Sequence, residues 1–154
     1  MILWKINNLK NILSSEGLSQ KSCFYYLLLY GLLMTGGMEI MAYFPYDKPN
    51  IWRYLITSGY ILCAIIGTIF FYKANGGSSG ENLIERYISM SIVIMIRLIP
   101  ILIILMVIIF IYLISTYGEQ DTYPITSFEA ALTIGWTALY WSRMVKHVKD
   151  VANS

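Results

Sequence analysis

The sequence predicts an all-α, polytopic membrane protein, with four transmembrane helices preceded by an N-terminal amphipathic interfacial helix. Three observations carry that expectation. Hydrophobic residues make up 57% of the 154-residue chain and charged residues only 13%, too little polar surface to coat a water-soluble globule of this size. The apolar residues are gathered into four long blocks, which read as spans rather than as one core. The basic residues fall unevenly on the connections between those blocks, as they do in membrane proteins of fixed orientation. A net charge of +2 excludes a strongly basic nucleic-acid binder. One histidine and two cysteines leave no zinc cluster and no disulfide framework.

Residues 1–21 place Ile2, Ile6, Leu9 and Leu13 at helical spacing, with Asn7, Asn8, Lys10 and Asn11 on the other face. Together with Trp4 and Lys5 this predicts a helix lying among lipid headgroups. Its asparagines and the lack of a small-residue cleavage site argue against a signal peptide. Spans near 23–44, 51–72, 88–114 and 128–145 follow within a transmembrane domain over 22–147, and a short tail, 148–154, closes the chain. At about 1.5 Å per residue each is long enough to cross roughly 30 Å of hydrocarbon. The short loop with Pro45 and Pro49 predicts that the first two spans are antiparallel neighbours. In the loop Gly76-Gly77-Ser78-Ser79-Gly80, Ser78 and Glu81 fit a capping box for span three, and the glycines serve to end span two. Lacking a GxxxxGK[ST] pattern, this loop is not expected to bind phosphate. Thr126 and Glu129 fit a second capping box, at the start of span four.

Topology follows from the basic residues. Lys5, Lys10, Lys21, Lys73, Arg86, Arg143, Lys146 and Lys149 fall on one side, against Lys48 and Arg53 on the other. The positive-inside rule then places both termini and the glycine-rich loop in the cytoplasm.

Helices in lipid associate by close approach at small residues. Ser127, Ala131, Gly135, Ala138 and Ser142 form such a stripe on span four, and Gly59, Cys63 and Gly67 form another on span two. Packing within one bundle is the first reading of these stripes; oligomerisation through one of them is the second, with Gly135 expected at a helix contact. Arg97 interrupts the apolar run of span three, where a charge is costly, three residues before Pro100. It either snorkels to the cytoplasmic headgroups or pairs within the bundle or with a phosphate group. Glu39 lies in the outer part of span one and is the second intramembrane candidate. Helix rise sets the two roughly 8–15 Å apart along the membrane normal, so a direct bond would need water or a helix shift.

The segment from Tyr72 to Arg97 contains Asn75, Gly76, Gly77, Gly80, Arg86, Tyr87 and Ser89 in the order NGGxxGxx(F/L)xxRYxS, followed by a span with an arginine. It resembles a group of small uncharacterised bacterial membrane proteins of about this length. The resemblance covers about a sixth of the chain, implies a bacterial inner-membrane setting and carries no activity with it. In outline the four spans with an acid in the first also resemble small multidrug exporters, from which the N-terminal helix, the longer chain and Arg97 depart.

No catalytic or metal-binding motif is present, so an enzyme and a cofactor are not expected. The expected function is non-enzymatic, by self-association or as the membrane subunit of a partner complex of accessory, defence or immunity type. The lipid bilayer and a homo-oligomer or protein partner are the expected contacts, with Asn75, Gly76, Gly77, Gly80, Arg86 and Tyr87 as a candidate cytoplasmic contact loop. The alternative is a small oligomeric transporter or channel with Glu39 and Arg97 on its pathway, which would need at least a dimer to form a cavity.

Overall fold

The computed structural model describes residues 4–42, 50–119 and 122–153, with only the helical backbone described over 38–42. The fold is all-α: α1 (Ile6–Ser15), α2 (Gln20–Ala42), α3 (Ile51–Ala74), a single 3₁₀ turn (Gly77–Ser79), α4 (Leu83–Tyr117) and α5 (Ser127–Ala152). The spans expected near 51–72, 88–114 and 128–145 thus sit inside α3, α4 and α5, each extended by a few residues.

Among the described residues two of these helices, α3 and α4, are long and apolar enough to cross a membrane, rather than the four expected. Only 17% and 22% of their most apolar stretches are buried in the chain, so they are not the wrapped core helices of a soluble protein. α5 is less apolar because it carries Glu129, Thr133, Thr137, Ser142 and Arg143, and α2 because its described part holds Gln20, Lys21, three tyrosines and several small residues.

α3 and α5 run parallel and share the most extensive helix contact in the molecule. Asn50 sets their register. Its Oδ1 accepts from the backbone N–H groups of Trp52 (3.1 Å) and Arg53 (3.2 Å), capping α3, while its Nδ2 donates to the Ile125 carbonyl (2.7 Å) just before α5. The expected capping box at Thr126 is formed: Thr126 Oγ1 accepts from Glu129 N (3.3 Å), and Glu129 Oε2 accepts from Thr126 N (2.9 Å). The box expected at Ser78 and Glu81 is not formed. The residue before α4 is Asn82, in a left-handed conformation at φ 50°, and it makes no side-chain cap.

The N-terminal helix corrects the sequence reading most. α1 is amphipathic as expected, but Ile6, Leu9 and Leu13 are buried in a core with Met90, Ile92, Val93, Met144, Val148 and Val151 rather than turned to headgroups. Helix propensity and apolar spacing define a sticky face without naming what it sticks to. Here the face docks on α4 and α5, and Lys10 Nζ meets Asp150 Oδ2 at 2.6 Å across the junction.

A second correction concerns α2. Among the described residues its substantial contact is with α4, and none of that extent is made with α3, the neighbour the short proline-containing loop predicted. Seven residues can span about 23–25 Å when extended, so such a loop permits adjacency without enforcing it. An apolar groove of about 330 Å³ lies there instead, lined by Tyr30, Phe71, Tyr72, Ile84, Tyr87 and Ile88.

α4 is 35 residues long, about 52 Å, well over a bilayer's roughly 30 Å. It divides along its length. Arg86, Ser89, Met90, Ser91, Ile92, Val93, Ile94 and Leu98 are buried against α1 and α5, whereas most side chains from Ile99 to Ile111 are exposed. The buried core therefore sits at the end of the bundle that holds both termini and the α3–α4 turn.

Candidate functional site at the α3–α4 turn

α3 ends where Asn75 N–H donates to the Phe71 carbonyl (2.9 Å). Gly76 then takes φ +101° and Gly77 φ +60°, a reversal that suits glycine and little else. Gly80 is required for a different reason: a Cβ there would run into the Asn75 carbonyl. The Asn75 side chain, 2% exposed, sits at the centre of the turn. Its Nδ2 donates to the Glu81 carbonyl (3.1 Å) and its Oδ1 accepts from Arg86 Nη1 (2.9 Å).

Arg86 links three elements. Nη1 reaches the end of α3, and Nη2 donates to the Leu13 carbonyl near the end of α1 at 3.4 Å. Both acceptors lie at helix C-termini, where the partial negative charge favours a guanidinium. Next to it Glu85 Oε1 accepts from Leu18 N at 2.5 Å, tying the α1–α2 connection to α4. Tyr87 meets Phe71 edge-on (centroids 5.5 Å, 90°) and Tyr30 (6.5 Å), and lies 6.3 Å from Trp141. The Asn-Gly-Gly-x-x-Gly...Arg-Tyr pattern thus brings its residues together as a latch, with Asn75 and Arg86 turned inward.

The other sequence candidates are placed as follows. Arg97 is exposed on the surface of the chain. Its charge is one of several that lower the pKa of His147, so the guanidinium lies toward the charged end of the bundle. The Glu39 side chain lies outside the described residues, and with it any pairing to Arg97. Gly59 and Gly67 do mark a contact face: a Cβ at Gly59 would come within 2.8 Å of Ile134, and one at Gly67 would run into the Trp141 ring. The stripe on α5 behaves in the opposite way. Ser127, Ala131, Gly135, Ala138 and Ser142 are all exposed, and nothing lies within 4 Å of a Cβ placed at Gly135. Among the described residues nothing packs on Gly135: α5 turns its large residues, Ile134 and Trp141, toward α3 and leaves its small ones outside.

Sequence reasoning missed Trp141, whose ring fills the space above Gly67, and the pair Lys73 and Lys149, which flank Arg86 in a cavity of about 410 Å³ with Ser79 and Glu81. Only their charge signalled them. Among the described residues no group of three metal-ligating side chains comes together.

The α1–α5 junction is acid-sensitive. Burial of the imidazole, then the nearby Lys10, lowers the His147 pKa, against the opposing pull of Asp150, whose Oδ2 is 3.7 Å from Nδ1. The hydrogen bond from Lys10 lowers the Asp150 pKa. Both shifts make the folded state bind fewer protons than the unfolded one, so both favour folding at neutral pH. Stability should begin to fall below about pH 6.5, the ordinary histidine value, and fall further as pH drops through the depressed Asp150 pKa. Hydrogen exchange of the α1 amides across this range checks it; protection in α1 that does not change with pH would contradict it.

Comparison with known proteins finds no matching family model, no matching curated protein and no matching solved structure.

Proposed function

We propose that this chain is a four-span protein of the bacterial inner membrane that works without catalysis, by lateral association with a second copy of itself. The reading of four spans rests on packing rather than on hydropathy alone. α5 lies parallel to α3 and touches it from Gly59 and Ile134 to Gly67 and Trp141, so a bilayer that holds α3 holds α5 beside it. α2, 23 residues long, packs on α4. The hydroxyls of α5 lower the cost of its position in lipid, because Thr137 donates to the Thr133 carbonyl (3.0 Å) and Ser142 to that of Leu139 (2.7 Å). With the basic end of the bundle inside, both termini are cytoplasmic.

The exposed small-residue stripe of α5 carries the association. In hydrocarbon nothing drives helices together except close packing and polar contacts, and a stripe of Ala, Gly and Ser lets two backbones approach. Among the described residues nothing of its own chain lies within 4 Å of a Cβ placed at Gly135, the centre of this stripe. The transporter reading gains less, since Arg97 lies exposed on the surface of the chain.

Gly135→Ile should leave the thermal midpoint of the protomer unchanged, because the site is open, and abolish the dimer. A Gly135→Cys variant in a background with Cys23 and Cys63 replaced should cross-link in native membranes. A wild-type chain that runs as a monomer in lipid, or a Gly135→Ile chain that dimerises as wild type does, would remove this reading.

A further inference from the structure

We propose that the cavity between the α3–α4 turn and the end of α5 is a binding site for a phosphate group, carried by a lipid headgroup or by a free phosphate. The site is independent of the α5 stripe and stands whether or not the chain dimerises.

The first observation is Arg86. Its side chain is 8% exposed, yet among the described residues no carboxylate pairs with it. Nη1 and Nη2 bond neutral oxygens, and Nε is buried without a hydrogen-bond partner among the described residues. A buried guanidinium held only by neutral acceptors is incompletely compensated, and a nearby anion offsets the remaining cost. The second observation is independent of the first: Arg86 lines a cavity of about 410 Å³ whose wall also carries Lys73 from the end of α3 and Lys149 from α5. A phosphate group and its first substituent fit that volume.

Charge selects the ligand class. Among the described residues three cationic side chains line the cavity with one carboxylate, Glu81. The C-termini of α3 and α5 add about half a negative charge each, and the start of α4 about half a positive one. The surplus is still positive by more than one unit charge, which disfavours a neutral ligand and suits a phosphate near two negative charges better than a singly charged carboxylate. Arg86, its fork already held by Asn75 and Leu13, adds a fixed positive charge, and each lysine a mobile point charge with free donors. Position is consistent with both sources. Lys73 directly follows the apolar run of α3 and its terminal Tyr72, so the cavity lies at headgroup level if α3 crosses a bilayer, where basic pockets between helices hold anionic lipids. It is also open to the aqueous side.

The test uses the full chain in nanodiscs of phosphatidylcholine alone, or of phosphatidylcholine with phosphatidic acid, and follows the thermal midpoint. Inorganic phosphate is titrated against chloride at matched ionic strength. Lys73→Gln with Lys149→Gln leaves Arg86 in place and changes two exposed residues, so the variant should match wild type in phosphatidylcholine and chloride. A midpoint that rises with inorganic phosphate in wild type, with affinity reduced about tenfold in the double variant, identifies a free phosphate ligand. A rise only in the phosphatidic acid discs, lost in the double variant, identifies a headgroup. Glu81→Gln should tighten either by about threefold, since it removes the one opposing charge. No stabilisation from either source, or stabilisation that both lysine substitutions leave unchanged, overturns the site.

Discussion

Replacing Gly67 with alanine is expected to separate α3 from α5 and to cost the protein about 1–3 kcal/mol or more, the range for overpacking a filled contact. The reason is local. A Cβ at this position would run into the Trp141 indole, a rigid ring that also packs beside Tyr87 and Tyr140 and has no simple way to withdraw. Gly59 offers the control. There the obstacle is the Ile134 side chain, whose Cγ1 would lie 2.8 Å and Cδ1 2.9 Å away, and an aliphatic chain can rotate, so Gly59→Ala should cost less. Gly135→Ala, facing open space, should leave the protomer unaltered. Trp141→Leu should rescue much of the loss in Gly67→Ala, giving a coupling well beyond additivity for residues in contact. Thermal midpoints of the three alanine variants, of Trp141→Leu and of the Gly67→Ala/Trp141→Leu double variant in one detergent check the order and the coupling. Equal stability of Gly67→Ala and wild type would mean that α3 and α5 do not pack through this glycine.

Gly67 also shows what a single sequence can disclose. The small-residue stripes on α3 and α5 were both visible as spacing, and both pointed to close approach. Spacing could not say whether the approaching surface belongs to the same chain. That depends on which way α5 is rotated, and the rotation is set by Trp141 and Ile134, large residues seven apart that meet glycines eight apart on a parallel helix. The complementarity is legible only once the two helices are known to be parallel neighbours. Capping was easier, because the Thr126–Glu129 box is closed by residues three apart and needs no tertiary information. The same local logic failed at Ser78 and Glu81, where Asn75 takes over the turn by bonding forward to Glu81 O and to Arg86.

α1 was the harder case. A helix with Ile6, Leu9 and Leu13 on one face satisfies the requirements of a lipid interface and of a protein groove equally well. What decides between them is the surface made by Met90, Ile92, Val93, Met144, Val148 and Val151. Those residues are scattered over two helices more than forty positions apart, and in the sequence Met90, Ile92, Val93 and Met144 fall in expected spans while Val148 and Val151 fall in the expected tail. The charge pattern held a clue in Lys10 and Asp150, but nothing short of the fold places them 2.6 Å apart.

Arg86→Met is expected to release α1 from the bundle. The opposite outcome has a physical case, because removing an incompletely paired buried charge relieves its desolvation cost and can be neutral or stabilising. Two features decide against it here. Methionine leaves behind two buried acceptors, Asn75 Oδ1 and the Leu13 carbonyl, that were held by Nη1 and Nη2, and each unsatisfied group costs about 1–3 kcal/mol. It also removes the only described side chain that bonds both α1 and the α3–α4 turn. Arg86→Lys should be intermediate, since an ammonium keeps the charge but cannot bridge two acceptors held in a planar fork. Asn75→Ala removes one acceptor together with its donor to Glu81 O and should loosen the turn while leaving the Leu13 bond to Arg86. Hydrogen exchange resolves the difference: Arg86→Met should deprotect the α1 amides first, and Asn75→Ala the segment from Gly76 to Glu85. If α1 kept wild-type protection in Arg86→Met, its docking would rest on the Ile6, Leu9 and Leu13 face and the Lys10–Asp150 pair, and the arginine would be free to serve the phosphate cavity without holding the fold.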